Sequence, residues 1–167
     1  MAISITTLDE ELRQVLEPRT AAGHRRLTTV QRLSDAGILV LVMMAPIIPG
    51  LNSSDVAAIA EQAAARGALG IGHQMVRLNG HLADLFSEWL SEHYPDRKEK
   101  VLSLIKQTHG GTLNENRFGT RMKGEGPVAT QVADMMRIAK AKHFKGRSIP
   151  PFDLSRFAVP GSQLRIF

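Results

Sequence analysis

The sequence of 167 residues contains no cysteine. This absence excludes disulfide bonds, thiolate nucleophiles, zinc–thiolate sites and iron–sulfur clusters held by cysteine. Aromatic residues make up only 5% of the chain and are not interleaved with cations, so recognition of single-stranded nucleic acid by base stacking has little support. No apolar run reaches the ~20 residues that a membrane span requires, and no signal-peptide pattern follows Met1, so the sequence predicts a cytoplasmic protein without membrane contact.

Charge is unevenly distributed along the chain. Residues 1–94 contain 7 Lys or Arg against 10 Asp or Glu, a net charge of −3, whereas residues 95–167 contain 14 against 6, a net charge of +8. Together with a change of pattern after Pro95, this predicts a core of residues 1–94 followed by a basic, mainly helical extension of residues 95–167. The extension could bind an anionic partner such as nucleic acid, although a solvated, lysine-rich surface is the simpler interpretation of charge alone.

The hydrophobic pattern predicts an α/β fold. Residues 39–44 are six apolar residues bounded by glycine and proline, which is typical of a strand buried on both faces. Residues 2–7 alternate and residues 69–78 are interrupted by glycines, and both also indicate strands. Amphipathic segments separate and follow the strands, so the order β-α-β-α-β-α predicts three consecutive parallel units with helices on one face. Two further helices and an extended tail are predicted after residue 95.

Ligands bind at the carboxyl ends of parallel strands, where helix N-termini and loop amides converge. The loop at residues 45–51 and the cation Arg77 lie at such ends in the predicted sheet. A partly buried Arg77 would need an anion, which either a ligand or a structural salt bridge could supply. His73 on the third strand could face the open side of the sheet or be an ordinary strand histidine. The stretch RFGTRMKGEGP, residues 117–127, could surround an anion or form an ordinary flexible loop.

Five segments, in order along the chain, carry a family resemblance: SITTLDEELRQVLEPRT, GILVLVMMAPIIPGLN, RLNGHLADLFSEWLSEHYPDR, RFGTRMKGEGP and VPGSQLRIF. Together they resemble the radical S-adenosylmethionine (radical SAM) proteins, specifically the carboxyl half of the bacterial group related to spore photoproduct lyase and often labelled DNA repair photolyases. The resemblance covers essentially the whole chain. It implies half of a partial (β/α)6 TIM-like barrel, in which the three parallel βα units are the fourth, fifth and sixth, followed by the basic extension.

The resemblance also sets expectations for cofactors. The family's cluster-binding CxxxCxxC motif follows its first strand and its methionine-binding glycine motif lies on its second, and this chain contains neither. The resemblance therefore implies a partial S-adenosylmethionine site that faces the adenosine, without the [4Fe–4S] cluster of the radical SAM lyases. Homolytic cleavage of S-adenosylmethionine requires an electron from that cluster, so the chain alone is expected to be inactive. A gene fragment, an internally started product and one member of a split pair would all look alike.

The resemblance assigns contacts at matching positions, none of them catalytic and none to a metal. On the first strand, Ser4 and Thr6 would contact the ribose or amino-acid portion of S-adenosylmethionine, and Arg19 would meet its carboxylate. The other assigned residues would contact adenine, from the loop after the second strand and the backbone of the third: Ile47, Ile48, Pro49, Val76, Arg77 and Leu78.

The first strand is expected to need a partner surface. As the edge of half a barrel, it contains no proline, lysine or inward charge of the kind that guards natural edges. Either a missing amino-terminal half-barrel on another chain would pair with it, or two copies would meet along it. The alternative function is a non-enzymatic module that binds nucleic acid or another partner through the basic extension.

The absence of cysteine leads to a first prediction, that the isolated chain assembles no iron–sulfur cluster. Anaerobic reconstitution with iron and sulfide should give no stoichiometric absorbance in the visible charge-transfer band, because thiolate ligands are missing. A cysteine-containing ferredoxin treated in parallel is the positive control. A stable, stoichiometric cluster on this chain would contradict the prediction.

Overall fold

The computed structural model describes residues 1–113, 122–151 and 154–155. In this part of the chain three strands and six α-helices occur in the predicted order. Their bounds are β1 Ala2–Ser4, α1 Glu10–Leu16, α2 Gly23–Asp35, β2 Leu41–Ile47, α3 Val56–Ala65, β3 Gly70–Met75, α4 Leu82–His93, α5 Lys98–Gln107 and α6 Gly126–His143. None of the described helices combines the length and apolarity needed to cross a bilayer.

The three strands form one sheet in the order β1-β2-β3, and both pairs are parallel. The prediction of three parallel strands in sequence order is therefore confirmed. The fold class is α/β. In the register, Ile3 lies beside Val42, and Val42 lies beside Ile71.

The second strand ends later than predicted. It continues through Ala45 and Pro46 to Ile47, so the loop predicted at residues 45–51 begins three positions late, at residue 48. The register to β3 shifts between Met44 and Ile47. A proline can lie inside the strand there because an irregular register does not require its missing N–H.

The main core lies between the sheet and the helices α2, α3 and α6. Val42, Met44 and Ile71 contribute to it from the sheet, and all three are buried. The helices contribute Leu27, Val30, Ile59, Ala60, Ala63, Val132 and Met136. Because α3 is rich in alanine, α6 can pack directly against it. Helix α6 follows the boundary predicted after residue 94, yet it shares this hydrophobic core with the sheet and helices that precede the boundary.

A second core gathers around the segments that follow β2 and β3. Ile48 and Leu78 from these segments are buried against helices α4 and α5. The indole of Trp89 in α4 donates a hydrogen bond to the carbonyl of Val15 in α1, at 3.0 Å. These three helices are thereby held near the carboxyl ends of the strands.

The fully buried side chain of Asn52 joins the ends of β1 and β2. Its Oδ1 accepts from the amide of Ile48 at 2.6 Å. Its Nδ2 donates to the carbonyls of Thr6 and Pro46, each at 3.0 Å. One amide group thus satisfies three backbone groups that have left the regular sheet.

The Asn52→Ala variant tests this joint. It leaves a buried amide and two carbonyls without their partner, and each unpaired buried group costs roughly 1–3 kcal/mol. We expect the free energy of unfolding in urea to fall by about 3 kcal/mol. The control is Gln131→Ala on the exposed surface of α6, which should change it by less than about 0.5 kcal/mol. Equal stability of the two variants would show that Asn52 does not hold the strand ends.

Candidate functional site

A cleft opens at the carboxyl ends of β2 and β3. Its volume is about 420 Å³. The lining residues are Ala45, Pro46, Gln74, Met75, Val76, Arg77 and Asn79. This is the end of a parallel sheet at which ligands bind, and the volume lies within the roughly 300–1,000 Å³ of ordinary ligand pockets.

Buried polar atoms without partners concentrate beside this cleft. Among the described residues, the buried side-chain atoms that lack a hydrogen-bond partner are Arg77 Nε, Asn79 Oδ1 and His109 Nδ1. Two of them belong to residues that line the cleft, and the third belongs to a ring whose Nε2 lies 2.7 Å from the carbonyl of Val76. Buried groups are nearly always paired, so three exceptions around one short segment indicate a site that something else completes.

The guanidinium of Arg77 has no carboxylate partner in the described part of the chain. Its Nη1 faces the thioether sulfur of Met122 at 3.8 Å, which is a weak acceptor. Of the two alternatives for Arg77, the structural salt bridge therefore finds no support among the described residues. The cation is available for a ligand with an anionic or hydrogen-bond-accepting group.

Of the residues assigned to adenine, Val76 and Arg77 line the cleft. The backbone groups of Val76 already have partners. Its amide donates to the carbonyl of Ile47 at 2.9 Å, and its carbonyl is bonded to His109. Leu78 is buried in the second core, and its amide donates to the carbonyl of Leu113 at 3.3 Å.

The loop residues assigned to adenine lie within the protein interior. Ile47 belongs to the main core and Ile48 to the second core, and Pro49 is also buried. Their place along the cleft is taken by Ala45 and Pro46. Both residues belong to the loop predicted at residues 45–51, although the resemblance assigned the adenine contacts to the three residues that follow them.

The residues assigned on and after the first strand do not line this cleft. Ser4 is exposed on β1 and Arg19 is exposed in the segment between α1 and α2. Thr6 is buried, and its hydroxyl donates to Glu17 Oε1 at 2.7 Å. The structure therefore uses Thr6 in an internal contact.

Glu17 is the centre of a polar network behind β1. Its Oε2 accepts from Arg26 Nη2 at 2.6 Å, and the same guanidinium donates through Nη1 to the carbonyl of Ser4 at 3.0 Å. Burial raises the pKa of Glu17, but the hydrogen bonds from Thr6 and Arg26 outweigh it and hold this pKa below its usual value. Arg26 of α2 thus covers the edge carbonyl of Ser4, one of the outward backbone groups of the first strand.

His73 does not face the open side of the sheet. The register pairs it with Met44, whose side chain is buried in the main core, so His73 lies on the face toward the helices. Burial lowers the pKa of His73, and the nearby charge of Lys140 lowers it further. The interpretation of His73 as an ordinary strand histidine is the one that the structure supports.

In the described ranges, no group of three His, Asp or Glu residues could hold a metal ion. Residues 117–121 of the anion stretch predicted at residues 117–127 lie outside the described residues. The tail predicted from residue 148 also lies mostly outside them.

Comparison with known proteins gives distant relatives. No family model matches the chain. Uncharacterized proteins of Mycobacterium bovis and of two Mycobacterium tuberculosis strains are 28% identical to it over 109 residues, which is 64% of this chain and 32% of theirs. The chain therefore spans about a third of the length of the curated relatives it matches. No solved structure matches.

The pH dependence of stability in a Glu17→Gln variant tests the polar network behind β1. Because the folded-state pKa of Glu17 is lowered, its charge stabilises the protein fully above about pH 4.3, the usual pKa of glutamate, and this contribution is lost as the pH falls through the folded-state pKa. We expect the variant to be about 1–2 kcal/mol less stable than the wild type at pH 7. The deficit should shrink in acid, as measured by urea unfolding across pH. Glu61→Gln, on the exposed surface of α3, is the matched control, and a deficit that grows in acid would contradict the assignment.

Proposed function

We propose that this chain is the carboxyl-terminal part of a radical SAM protein resembling the spore photoproduct lyase group. In this proposal its three βα units are half of a partial (β/α)6 barrel, and its cleft forms the adenosine-facing side of an S-adenosylmethionine site. The consecutive parallel units and the position of the cleft at their carboxyl ends support it.

The unpaired atoms at Arg77 and Asn79 carry the proposal. Arg77 Nε is a donor and Asn79 Oδ1 is an acceptor. One edge of adenine presents a complementary pair, the acceptor N7 and the donor N6 amino group. Pro46 adds an apolar surface to the same cleft, against which a flat ring can pack.

The residues of this chain fit adenosine and do not fit an iron–sulfur cluster. The chain offers no thiolate, so we derive no step through a cluster. In this proposal the chain's own residues bind and orient the nucleoside. Its polar residues in the cleft are Gln74, Arg77 and Asn79. In the curated relatives the shared region is about a third of the length, which leaves room in them for another half-barrel.

The test is a titration of the ¹⁵N-labelled full chain with S-adenosylhomocysteine, followed by two-dimensional NMR. Amide resonances of residues 74–79 should shift with saturation. Arg77→Met, which keeps most of the side-chain volume, should weaken binding at least about tenfold, equivalent to about 1.4 kcal/mol. Arg137→Met on the exposed surface of α6 is the matched control and should bind as the wild type does.

Two outcomes would count against the adenosine site. One is the absence of any shift at millimolar ligand in a folded chain. The other is binding that Arg77→Met and Arg137→Met weaken equally. Shifts in α6 on addition of a DNA duplex, lost as salt is raised, would instead favour the alternative of a nucleic-acid-binding module.

A further inference from the structure

The outer edge of β3 carries free backbone groups. The amide of Leu69 donates to the carbonyl of Val40 at 2.8 Å, so Leu69 and Ile71 direct their backbone groups toward β2. The alternation then directs the amides and carbonyls of Gly70 and Gly72 away from the sheet. Within the described residues these groups have no hydrogen-bond partner.

An apolar groove of about 430 Å³ runs beside this edge. Its apolar side chains come from β2, from β3 with the residue before it, and from the segment after α6: Leu41, Met43, Leu69, Ile71, Phe144 and Ile149. Leu41 and Met43 form one side of the groove, on the face of the sheet away from the helices. The other side is formed by Lys140 of α6 and by Phe144, which directly follows this helix.

The two glycines make room for the side chains of β2. A Cβ atom at Gly72 would lie 2.6 Å from Met43 Sδ, and one at Gly70 would lie 3.3 Å from Leu41 Cδ2. Met43 and Leu41 can therefore extend across β3 toward its outer edge. Glycine at these positions exposes the backbone of β3 and brings apolar side chains up to it.

The groove is positively charged. Lys140 and Arg147 line it, and none of the described residues that line it is acidic. Arg147 is held in place, because its Nη1 donates to the carbonyls of Ala64 and Ala68 and its guanidinium lies 5.6 Å from the ring centroid of Phe144. Lys140 is exposed and has no ion-pair partner in the described part of the chain.

The charges of Lys140 and Arg147 bear on which kind of chain can pair with the edge of β3. Two copies of the chain paired edge to edge along β3 would bring Lys140 and Arg147 of each copy toward those of the other, which like-charge repulsion disfavours. An extended segment with acidic side chains meets no such repulsion. Successive side chains of a strand point to opposite sides, so an alternating apolar and acidic sequence places one kind against Met43 and the other against Lys140.

We propose that the outer edge of β3 binds an extended, acidic segment of another protein by strand addition. Gly70 and Gly72 provide the backbone hydrogen bonds, the groove takes the apolar side chains, and Lys140 with Arg147 takes the acidic ones. This site is separate from the cleft at the carboxyl ends of the strands, so it does not rest on the proposed function.

The probe is a capped, fluorescein-labelled hexapeptide of alternating valine and glutamate, added to the full chain. Fluorescence anisotropy measures its affinity, and NMR follows the amides of Gly70 and Gly72. We expect saturable binding, shifts of both glycine amides and slower hydrogen exchange there. Lys140→Glu should weaken binding at least about tenfold, whereas the matched control Lys142→Glu, exposed on the same helix but outside the groove, should not.

Two further peptides separate the contributions of charge and backbone. A valine–lysine hexapeptide should bind at least about tenfold more weakly, and a valine–glutamate peptide with methylated backbone amides should not shift the glycine amides. The proposal is overturned by equal binding of the two charge patterns, by equal binding of the methylated peptide, or by no binding at millimolar peptide. A concentration-dependent dimer in light scattering that protects the same glycines would assign the edge to a second copy instead.

Discussion

The hydrogen bonds of Asn52 are the constraint on which the arrangement of the strand ends depends. One buried amide holds the carbonyl of Thr6, two residues after β1, and the carbonyl of Pro46 in β2. It also holds the amide of Ile48, where the chain turns away toward α3. Asn52 therefore fixes the end of β2 relative to the segment after β1, and Pro46 lies at the carboxyl end of the sheet beside the end of β3. Asn52 thus positions the side of the cleft that Pro46 forms.

Elsewhere near the sheet, the buried polar side-chain atoms of the described residues have partners within the chain. The hydroxyl of Thr7 and the amide of Leu8 both donate to Asp55, and Glu17 accepts from Thr6 and Arg26. Against this background the unpaired atoms around residues 76–79 stand out as an exception confined to one place. Unpaired buried groups destabilise a fold, and they persist where binding supplies the missing partner. These unpaired atoms, rather than any single residue assigned by resemblance, mark the candidate site.

The sequence predicted the order and type of the elements because each follows from hydrophobic periodicity, which is local. It did not predict facts that depend on packing between distant segments. Proline at position 46 suggested the end of a strand, whereas the irregular register to β3 lets β2 continue to Ile47. His73 was placed correctly on β3, but only the register fixes its face. Arg77 was identified from its charge at a strand end, whereas Asn79 was not identified, because asparagine followed by glycine is common in turns and does not by itself indicate a binding site.

The two edges of the sheet differ in the hydrogen bonding of their backbone groups and in the charges that lie beside them. At the edge of β1, the carbonyl of Ser4 accepts a hydrogen bond from Arg26, which is paired with Glu17 in the acidic first part of the chain. The edge of β3 lies beside the basic extension, which folds back through α6 and places Lys140 next to free backbone groups. Two cations of residues 95–167, Lys140 and Arg147, therefore lie beside an open strand. A cation next to unpaired amides and carbonyls favours an extended acidic chain over a neutral or basic one, because only the acidic chain satisfies both the backbone and the charge.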